Sequence, residues 1–212
     1  MFTGIVQAKG TVVSIDQRDD FEKIVVSVPA ICLEHLNIGA SIAINGVCLT
    51  VTRFEVDNRD VVGQVFFDVI DETMQQTNLR MIKQRDPVNF ERSLTFGTEI
   101  GGHIVSGHIQ TTARIEQINR SEDNCSMRLI LDNQWMKYVL FKGFITVDGI
   151  SLTVGEVFDN GFSIHLIPET LSVTNLGVRQ VDDLVNIEVD QQTYSIVKTV
   201  ERVLAQQGTS FL

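Results

Sequence analysis

Two side chains that could take part in chemistry, the thiol of Cys48 and the hydroxyl of Ser151, occupy equivalent places in a repeated sequence. The segments INGVCLTV, beginning at Ile44, and VDGISLTV, beginning at Val147, share four of eight residues and lie 103 residues apart. Each contains an Asn-Gly or Asp-Gly pair, which is typical of a tight turn. The turn would deliver the thiol or hydroxyl, and a threonine two residues later, to the start of a strand. Such donors could bind a polar ligand at the mouth of a barrel.

The repeat extends to other parts of the chain. Gly4–Gln7 aligns with Gly107–Gln110 at the same offset. Asp71–Leu79 matches Pro168–Leu176 at five of nine positions, but at an offset of 97. The shorter offset predicts six extra residues in the first half, within Glu55–Gly63. Such dense self-similarity indicates a duplication, and we interpret it as two working ligand pockets; the alternative is a duplicated scaffold with one functional copy.

The two copies differ in chemically active side chains. The aligned pairs are Cys48 with Ser151, Ile5 with His108, and Asp68 with His165. A single buried cysteine often serves only the core, and an isolated histidine often has a structural role. The repeated E-T-x-x-x-T-N-L boxes also fit helix capping, while glycine at Gly4 and Gly107 could let a flat ligand approach the backbone. Structural and functional interpretations both stay open for these positions.

The local pattern predicts an all-β fold, because short runs of β-branched and aromatic residues bounded by Gly, Asn or Asp recur in both halves. The predicted strands are Lys23–Val28, Ser41–Ile44, Leu49–Phe54, Val65–Ile70, Met127–Leu131, Phe144–Val147, Leu152–Val157 and Phe162–Ile167. Small closed barrels are favoured, since closure removes exposed strand edges. Short helical pieces are predicted at Ala30–Leu36 and Gln134–Leu140.

The last segment predicts an amphipathic helix that has no counterpart in the first half. It begins near Gln191 and should end by Gly208. Its apolar positions are Ile196, Val197, Val200, Val203 and Leu204. Such a helix either packs on its own barrel or pairs with another chain, and the sequence favours neither.

Composition excludes several functions. The net charge of −10 argues against a nucleic-acid binder and against docking on anionic lipid. The apolar runs are too short for a membrane span and the N-terminus lacks a signal peptide, so we expect a cytoplasmic protein. Three widely spaced cysteines predict no disulfide framework, and the four histidines lack zinc-ligand spacing. We therefore expect no metal and no cofactor.

Six motifs together resemble the riboflavin synthase family of bacteria and fungi over essentially the whole chain. They are MFTGIVQ, NGVCLTV, GGHIVSGHI, MKYVLFKGF, DGISLTVGEV and HLIPETL. The resemblance implies two tandem six-stranded antiparallel Greek-key barrels, at residues 1–97 and 98–190, and a trimerisation helix with its tail at 191–212. It also implies the last step of riboflavin biosynthesis. There, one molecule of 6,7-dimethyl-8-ribityllumazine donates a four-carbon unit to another, giving riboflavin and 5-amino-6-ribitylaminouracil.

The resemblance also implies the site residues. The candidate catalytic groups are His108, Cys48, Ser151 and Ser41. The implied first-barrel contacts are Gly4, Ile5, Val6, Cys48, Leu49, Thr50, Asp68, Val69, Ile70, Asp71, Glu72 and Thr73. The implied second-barrel contacts are Gly107, His108, Ile109, Lys142, Ser151, Leu152, Thr153, His165, Leu166, Ile167, Pro168, Glu169 and Thr170. Asp71 stands where many members have a basic residue, Met74 replaces leucine, and the insertion precedes Phe67.

The family pattern further implies a homotrimer, with each active site between the first barrel of one subunit and the second barrel of its neighbour. An association with lumazine synthase is a further expectation. The main alternative is a non-catalytic lumazine- or flavin-binding accessory protein, which would have degenerate second-barrel motifs. A flavin reductase-type barrel would need an adjoining nucleotide-binding α/β domain, and no βαβ pattern follows the barrels.

Overall fold

The computed structural model describes residues 1–18, 21–56, 61–121 and 124–206. These residues form two closed six-stranded antiparallel barrels followed by a C-terminal helix, which confirms the predicted fold class. The first barrel consists of β1 (Ala8–Gln17), β2 (Phe21–Pro29), β3 (Ser41–Ile44), β4 (Val47–Val56), β5 (Val62–Ile70) and β6 (Pro87–Arg92). The second consists of β7 (Thr111–Arg120), β8 (Cys125–Ile130), β9 (Phe144–Val147), β10 (Ile150–Phe158), β11 (Gly161–Leu166) and β12 (Leu184–Val189).

The two barrels have the same topology. The strand order is β1-β2-β5-β4-β3-β6 in the first and, in equivalent strands, β7-β8-β11-β10-β9-β12 in the second. Along each strand, alternate side chains point inward; in β5, for example, Val65, Phe67 and Val69 are buried. Each barrel therefore has its own apolar core.

Strand register confirms the repeat alignment. Val51 pairs with Phe67 in the first barrel, as Val154 pairs with Ile164 in the second. Beyond these pairs the β4–β5 hairpin is longer than the β10–β11 hairpin, which agrees with an insertion within Glu55–Gly63. Residues 57–60 of that predicted insertion lie outside the described residues.

The helices are shorter than predicted, except at the C-terminus. The helical segments are α1 (Asp71–Gln76), α2 (Asn133–Met136), α3 (Pro168–Val173) and α4 (Gln191–Gln206), with 3₁₀ turns at Ala30–Leu33, Asn78–Met81 and Asn175–Gly177. The predicted helix at Ala30–Leu36 is thus a single 3₁₀ turn, and that at Gln134–Leu140 shortens to α2. Neither segment has the length over which a helix is stable without extensive packing.

Helix α4 has two apolar faces. Tyr194 and Val197 pack against the core of the second barrel, whereas Ile196, Val200 and Val203 are exposed. The helix therefore packs on its own barrel and still presents an uncovered apolar stripe. The predicted stop at Gly208 lies outside the described residues. In the part of the chain that the structure describes, no helix has the length and apolar character needed to cross a membrane.

The hairpins that carry Cys48 and Ser151 meet between the barrels. Gly46 and Gly149, both at positive φ, lie back to back: a Cβ on Gly46 would fall 2.6 Å from the Gly149 nitrogen. Asp148 is completely buried beside them. Its carboxylate accepts hydrogen bonds of 2.7–2.8 Å from the side chains of Asn78, Asn175 and Arg179 and from the Asn186 N–H. This network satisfies the buried charge and fixes the two hairpins relative to each other.

Candidate active site

Cys48 and Ser151 occupy equivalent positions, each second in the strand that follows its hairpin. Both are half-buried. Across the β3–β4 pair, Ser41 lies opposite Thr50; across the β9–β10 pair, Phe144 lies opposite Thr153. The predicted residues Ser41, Cys48 and Thr50 thus share one corner of the first barrel, and Ser151 and Thr153 share the equivalent corner of the second.

The glycine loops exchange barrels. The Ser151 N–H donates to the Gly4 carbonyl at 2.8 Å, and the Cys48 N–H donates to the Gly107 carbonyl at 2.9 Å. Val6 packs against the second-barrel core and Ile109 against the first-barrel core. We expected Gly4–Val6 beside the first barrel and Gly107–Ile109 beside the second, and the structure corrects both placements.

The exchange follows from an antiparallel bridge between the two loops. Phe2 and Val105 exchange backbone hydrogen bonds of 2.7 and 3.0 Å. Phe2 and Val105 are buried together with Ala43, and Cys48 packs against this cluster. Because the loops run side by side, each one reaches across to the opposite hairpin.

The glycines are required by this close approach. Gly4 and Gly107 have φ of +73° and +83°. Glycine adopts such positive φ angles without the strain that a side chain would add. A Cβ on Gly4 would lie 2.6 Å from the Ser151 Cβ, and one on Gly107 would lie 2.6 Å from the Cys48 Cβ. The sequence pointed to a ligand approaching the glycines, whereas the structure shows that a strand of the other barrel approaches them.

A histidine that the sequence interpretation set aside contacts Ser151. The Nδ1 atom of His103 lies 2.6 Å from the Ser151 Oγ, and its Nε2 lies 3.2 Å from the Thr146 Oγ1. The ring stacks on Phe144 with centroids 5.0 Å apart. Burial lowers the pKa of His103, and the nearby Asp190 carboxylate opposes this only partly. The imidazole is therefore neutral at neutral pH and can exchange a proton with the Ser151 hydroxyl.

The sequence signal for His103 was the GGH tripeptide. Gly102 also leaves no room for a side chain, since a Cβ there would lie 2.6 Å from the Ser151 Cβ. The sequence interpretation considered His103 only as a possible metal ligand and missed its contact with Ser151, because that partner is distant in sequence. The equivalents of Thr146 and Phe144 in the first barrel are Ala43 and Ser41. The His103 environment therefore has no copy around Cys48.

The predicted catalytic residue His108 lies beside the first barrel. It follows Gly107 directly, so it stands on the loop that lines the first-barrel hairpin, and it is exposed. Its backbone N–H donates to the Ser106 Oγ at 3.3 Å. Ile5, its counterpart, follows Gly4 beside the second-barrel hairpin. His108 therefore lies one residue after the glycine that contacts Cys48, whereas His103 contacts Ser151 directly.

The other predicted residues line the ends of β5 and β11. Asp68–Ile70 end β5 and Asp71–Thr73 begin α1; His165 and Leu166 end β11, and Ile167 leads to Pro168–Thr170 at the start of α3. Neither α1 nor α3 has a side-chain cap at its N-terminus. Instead, Thr77 and Thr174 cap the 3₁₀ turns that follow. The capping interpretation thus holds for the threonine of T-N-L and not for the glutamate of E-T.

Lys142 lies in the left-handed region of backbone conformation. It has φ of +61°, while its counterpart in the first barrel is Gly39, with φ of +84°. Their N–H groups make equivalent bonds, to Val154 and Val51. A lysine at positive φ costs free energy that glycine avoids. The second barrel therefore carries a charged side chain where the first barrel has glycine.

Comparison with known proteins bears on both barrels. The lumazine binding domain model matches residues 3–93 and again residues 106–190. Riboflavin synthase of Escherichia coli (strain K12) is 51% identical over 206 residues, covering 97% of this chain and 94% of that protein. The chain belongs to the riboflavin synthase family. Riboflavin synthase of Schizosaccharomyces pombe is 38% identical and covers 97% of this chain and 96% of that protein.

Solved structures show the same fold. LumP complexed with riboflavin has a TM-score of 0.80 at 30% identity, and LumP complexed with 6,7-dimethyl-8-(1'-D-ribityl) lumazine has 0.78 at 26%. Each covers 90% of this chain and is itself covered completely. The two domain matches coincide with the two barrels described above.

Proposed function

We propose that this member of the riboflavin synthase family converts two molecules of 6,7-dimethyl-8-ribityllumazine into riboflavin and 5-amino-6-ribitylaminouracil. The single observation that carries the proposal is the pair of equivalent hairpins, delivering Cys48 and Ser151, within two lumazine binding domain repeats. A reaction between two identical molecules needs two similar pockets. The duplicated barrel supplies them in one chain.

The chemistry requires proton transfer and close alignment. The 7-methyl proton of the lumazine is acidic because the resulting carbanion is delocalised into the conjugated ring. Holding both substrates in contact replaces a bimolecular encounter, which is worth about 7–11 kcal/mol when alignment is good. The protein must then bind the anion, offer hydrogen-bond donors to it and move protons.

We assign proton transfer in the second pocket to Ser151 and His103. Their 2.6 Å contact and the lowered pKa of His103 make the neutral imidazole a suitable acceptor for a proton that passes through the serine. Thr146 holds the other ring nitrogen, and Phe144 covers one face of the ring. Lys142 supplies a positive charge at the same barrel's rim.

The first pocket is assigned a different chemistry. Cys48 stands where the second pocket has Ser151, and Ser41 stands where it has Phe144. Thr50 lies opposite Ser41 in the strand pair, and His108 is the exposed imidazole on the loop beside Cys48. This unequal pair of pockets suits a reaction in which one lumazine donates carbon and the other accepts it.

The proposed assembly is a homotrimer in which the first barrel of one subunit faces the second barrel of its neighbour. Two uncovered apolar surfaces support this arrangement. One is the α4 stripe of Ile196, Val200 and Val203; the other is the second-barrel rim formed by Leu140, Phe141 and Phe144. Burial of such surfaces is favourable. The division into 1–97, 98–190 and 191–212, a cytoplasmic location and association with lumazine synthase belong to the same proposal.

The alternative function, a binding protein without turnover, is suggested by the similarity to ligand-bound LumP. The test is to incubate chelator-treated protein with 6,7-dimethyl-8-ribityllumazine alone and follow riboflavin by its absorbance. Formation of riboflavin supports the enzyme. Binding of the lumazine without riboflavin formation would favour the accessory protein.

A further inference from the structure

Two buried glutamates hold the two exchanged loops. Glu91 on β6 is 4% exposed and Glu188 on β12 is 1% exposed. The Glu91 carboxylate accepts hydrogen bonds from the Thr3 N–H at 2.6 Å, the Thr3 hydroxyl at 2.8 Å and the Gly4 N–H at 3.2 Å. The Glu91 carboxylate therefore holds its loop through three hydrogen-bond donors.

Glu188 holds the second loop through the equivalent three hydrogen bonds. The Glu188 carboxylate accepts from the Ser106 N–H at 2.7 Å, the Ser106 hydroxyl at 2.7 Å and the Gly107 N–H at 2.9 Å. Among the described residues, neither glutamate takes part in an ion pair. A buried carboxylate without a cation depends on such donors for its stability. Each loop is consequently held by both oxygens of one carboxyl group, an arrangement that an amide, with a single acceptor oxygen, cannot reproduce.

The hydrogen bonds of Glu91 and Glu188 act across the boundary between the barrels. Glu188 belongs to the second barrel, but the loop it holds presents the Gly107 carbonyl to the Cys48 N–H of the first. Glu91 belongs to the first barrel, and its loop presents the Gly4 carbonyl to the Ser151 N–H of the second. Each barrel thus sets the backbone beside the other barrel's reactive side chain.

We propose that Glu91 and Glu188 are crosswise positioning residues: Glu188 sets the geometry of the Cys48 pocket, and Glu91 sets that of the Ser151 pocket. Neither glutamate is assigned contact with substrate. The role of the pockets in catalysis rests on the proposed function, whereas the crosswise coupling is a property of the ligand-free protein. The two ideas can therefore fail separately.

The test uses the thiols as local reporters. Glu188→Gln and Glu91→Gln keep the side-chain shape but turn one oxygen into an NH₂ that faces N–H donors. The full-length variants are treated with iodoacetamide, and the alkylation rates of Cys48, Cys32 and Cys125 are measured separately by peptide mass spectrometry. Cys32 is half-buried in the same barrel as Cys48, and Cys125 is buried in the second. Both report general loosening of the fold.

We expect Glu188→Gln to raise the Cys48 alkylation rate about fivefold, the factor that corresponds to one lost hydrogen bond of about 1 kcal/mol. Cys32 and Cys125 should keep their wild-type rates, and Glu91→Gln should change the Cys48 rate less than Glu188→Gln does. The proposal is overturned if Cys48 is unaffected in Glu188→Gln, if both variants change it equally, or if all three thiols accelerate together. Glu188→Asp, which keeps the charge but shortens its reach, serves the same test if the glutamine variant does not fold.

The reciprocal arm reads the Ser151 side. Glu91→Gln should change the NMR titration of the His103 imidazole, because His103 contacts Ser151. A His103 titration that is unchanged in Glu91→Gln contradicts crosswise positioning.

Discussion

The Nδ1 atom of His103 lies 2.6 Å from the Oγ of Ser151, and the described residues of the first barrel contain no equivalent pair. Ser151 reaches this contact through the Asp148-Gly149 hairpin, while His103 reaches it from the loop between the barrels. The contact joins residues 48 positions apart. It gives the second pocket a proton acceptor that is held from both sides.

Replacing His103 should slow catalysis strongly. We expect His103→Gln to lower kcat by about 10²–10⁴, the usual contribution of a positioned proton-transfer group. Thr146→Val removes only the hydroxyl at the other ring nitrogen and should cost less. Steady-state kinetics on both variants, with circular dichroism as the folding control, make the comparison. Equal losses in the two variants would contradict a direct role of the His103 imidazole.

The lowered pKa of His103 predicts a limb in the pH profile. Because burial disfavours the imidazolium, His103 stays neutral and active above its lowered pKa, and kcat should fall as the pH drops through it. The contribution of this residue to stability has the same sign: it is present above the pKa of the unfolded chain and is lost as the pH falls through the folded pKa. Profiles of kcat against pH should lose this limb in His103→Gln, and its persistence would assign the limb to another group.

The close approach of Gly107 to Cys48 predicts that two matched glycine substitutions differ in their effect on stability. Gly107→Ala meets both a positive φ and the Cys48 Cβ, whereas Gly97→Ala meets a φ of +89° but nothing within 4 Å. Gly97→Ala should therefore cost only the backbone strain, about 1–2 kcal/mol. Gly107→Ala should cost more and weaken lumazine binding. Thermal unfolding and fluorescence titration measure both; similar losses in the two variants would show that the close approach to Cys48 is unimportant.

The uncovered stripe of α4 predicts that one charge disrupts the assembly. Val200→Asp would bury an unpaired carboxylate at the proposed interface, which is costly. Ser195→Asp places the same charge on the same helix, away from the stripe, and should leave the assembly intact. Sedimentation velocity distinguishes the two variants. If Val200→Asp sediments as the wild type and keeps its activity, α4 does not hold the subunits together.

Most of the architecture could be predicted because the duplication repeats local signals. The Asn45-Gly46 and Asp148-Gly149 turns located both hairpins, and every predicted strand lies wholly or largely within an observed one. Strands β1, β6, β7 and β12 escaped local prediction. In β1 and β7, outward-facing residues such as Lys9 and Glu116 dilute the β-branched pattern. In β6 and β12, buried polar residues such as Glu91 and Glu188 interrupt it, and the pairing of all four strands depends on distant partners.

The candidate site was harder to predict than the fold. The exchange of the Gly4 and Gly107 loops depends on how two barrels pack, and the bridge between Phe2 and Val105 that directs it joins residues 103 positions apart. The role of His103 follows from the same exchange, so the GGH tripeptide marks the residue but cannot assign its role. Cys48 and Ser151 were identified because they are both local and repeated.

The most direct test of the account is the stoichiometry of the reaction. Chelator-treated protein is incubated with 6,7-dimethyl-8-ribityllumazine as the sole organic substrate, and substrate and products are quantified by chromatography over time. The account predicts one riboflavin and one 5-amino-6-ribitylaminouracil for every two lumazines consumed. Lumazine that binds but is not consumed, or riboflavin formed without the pyrimidine, would contradict a dismutation between two pockets.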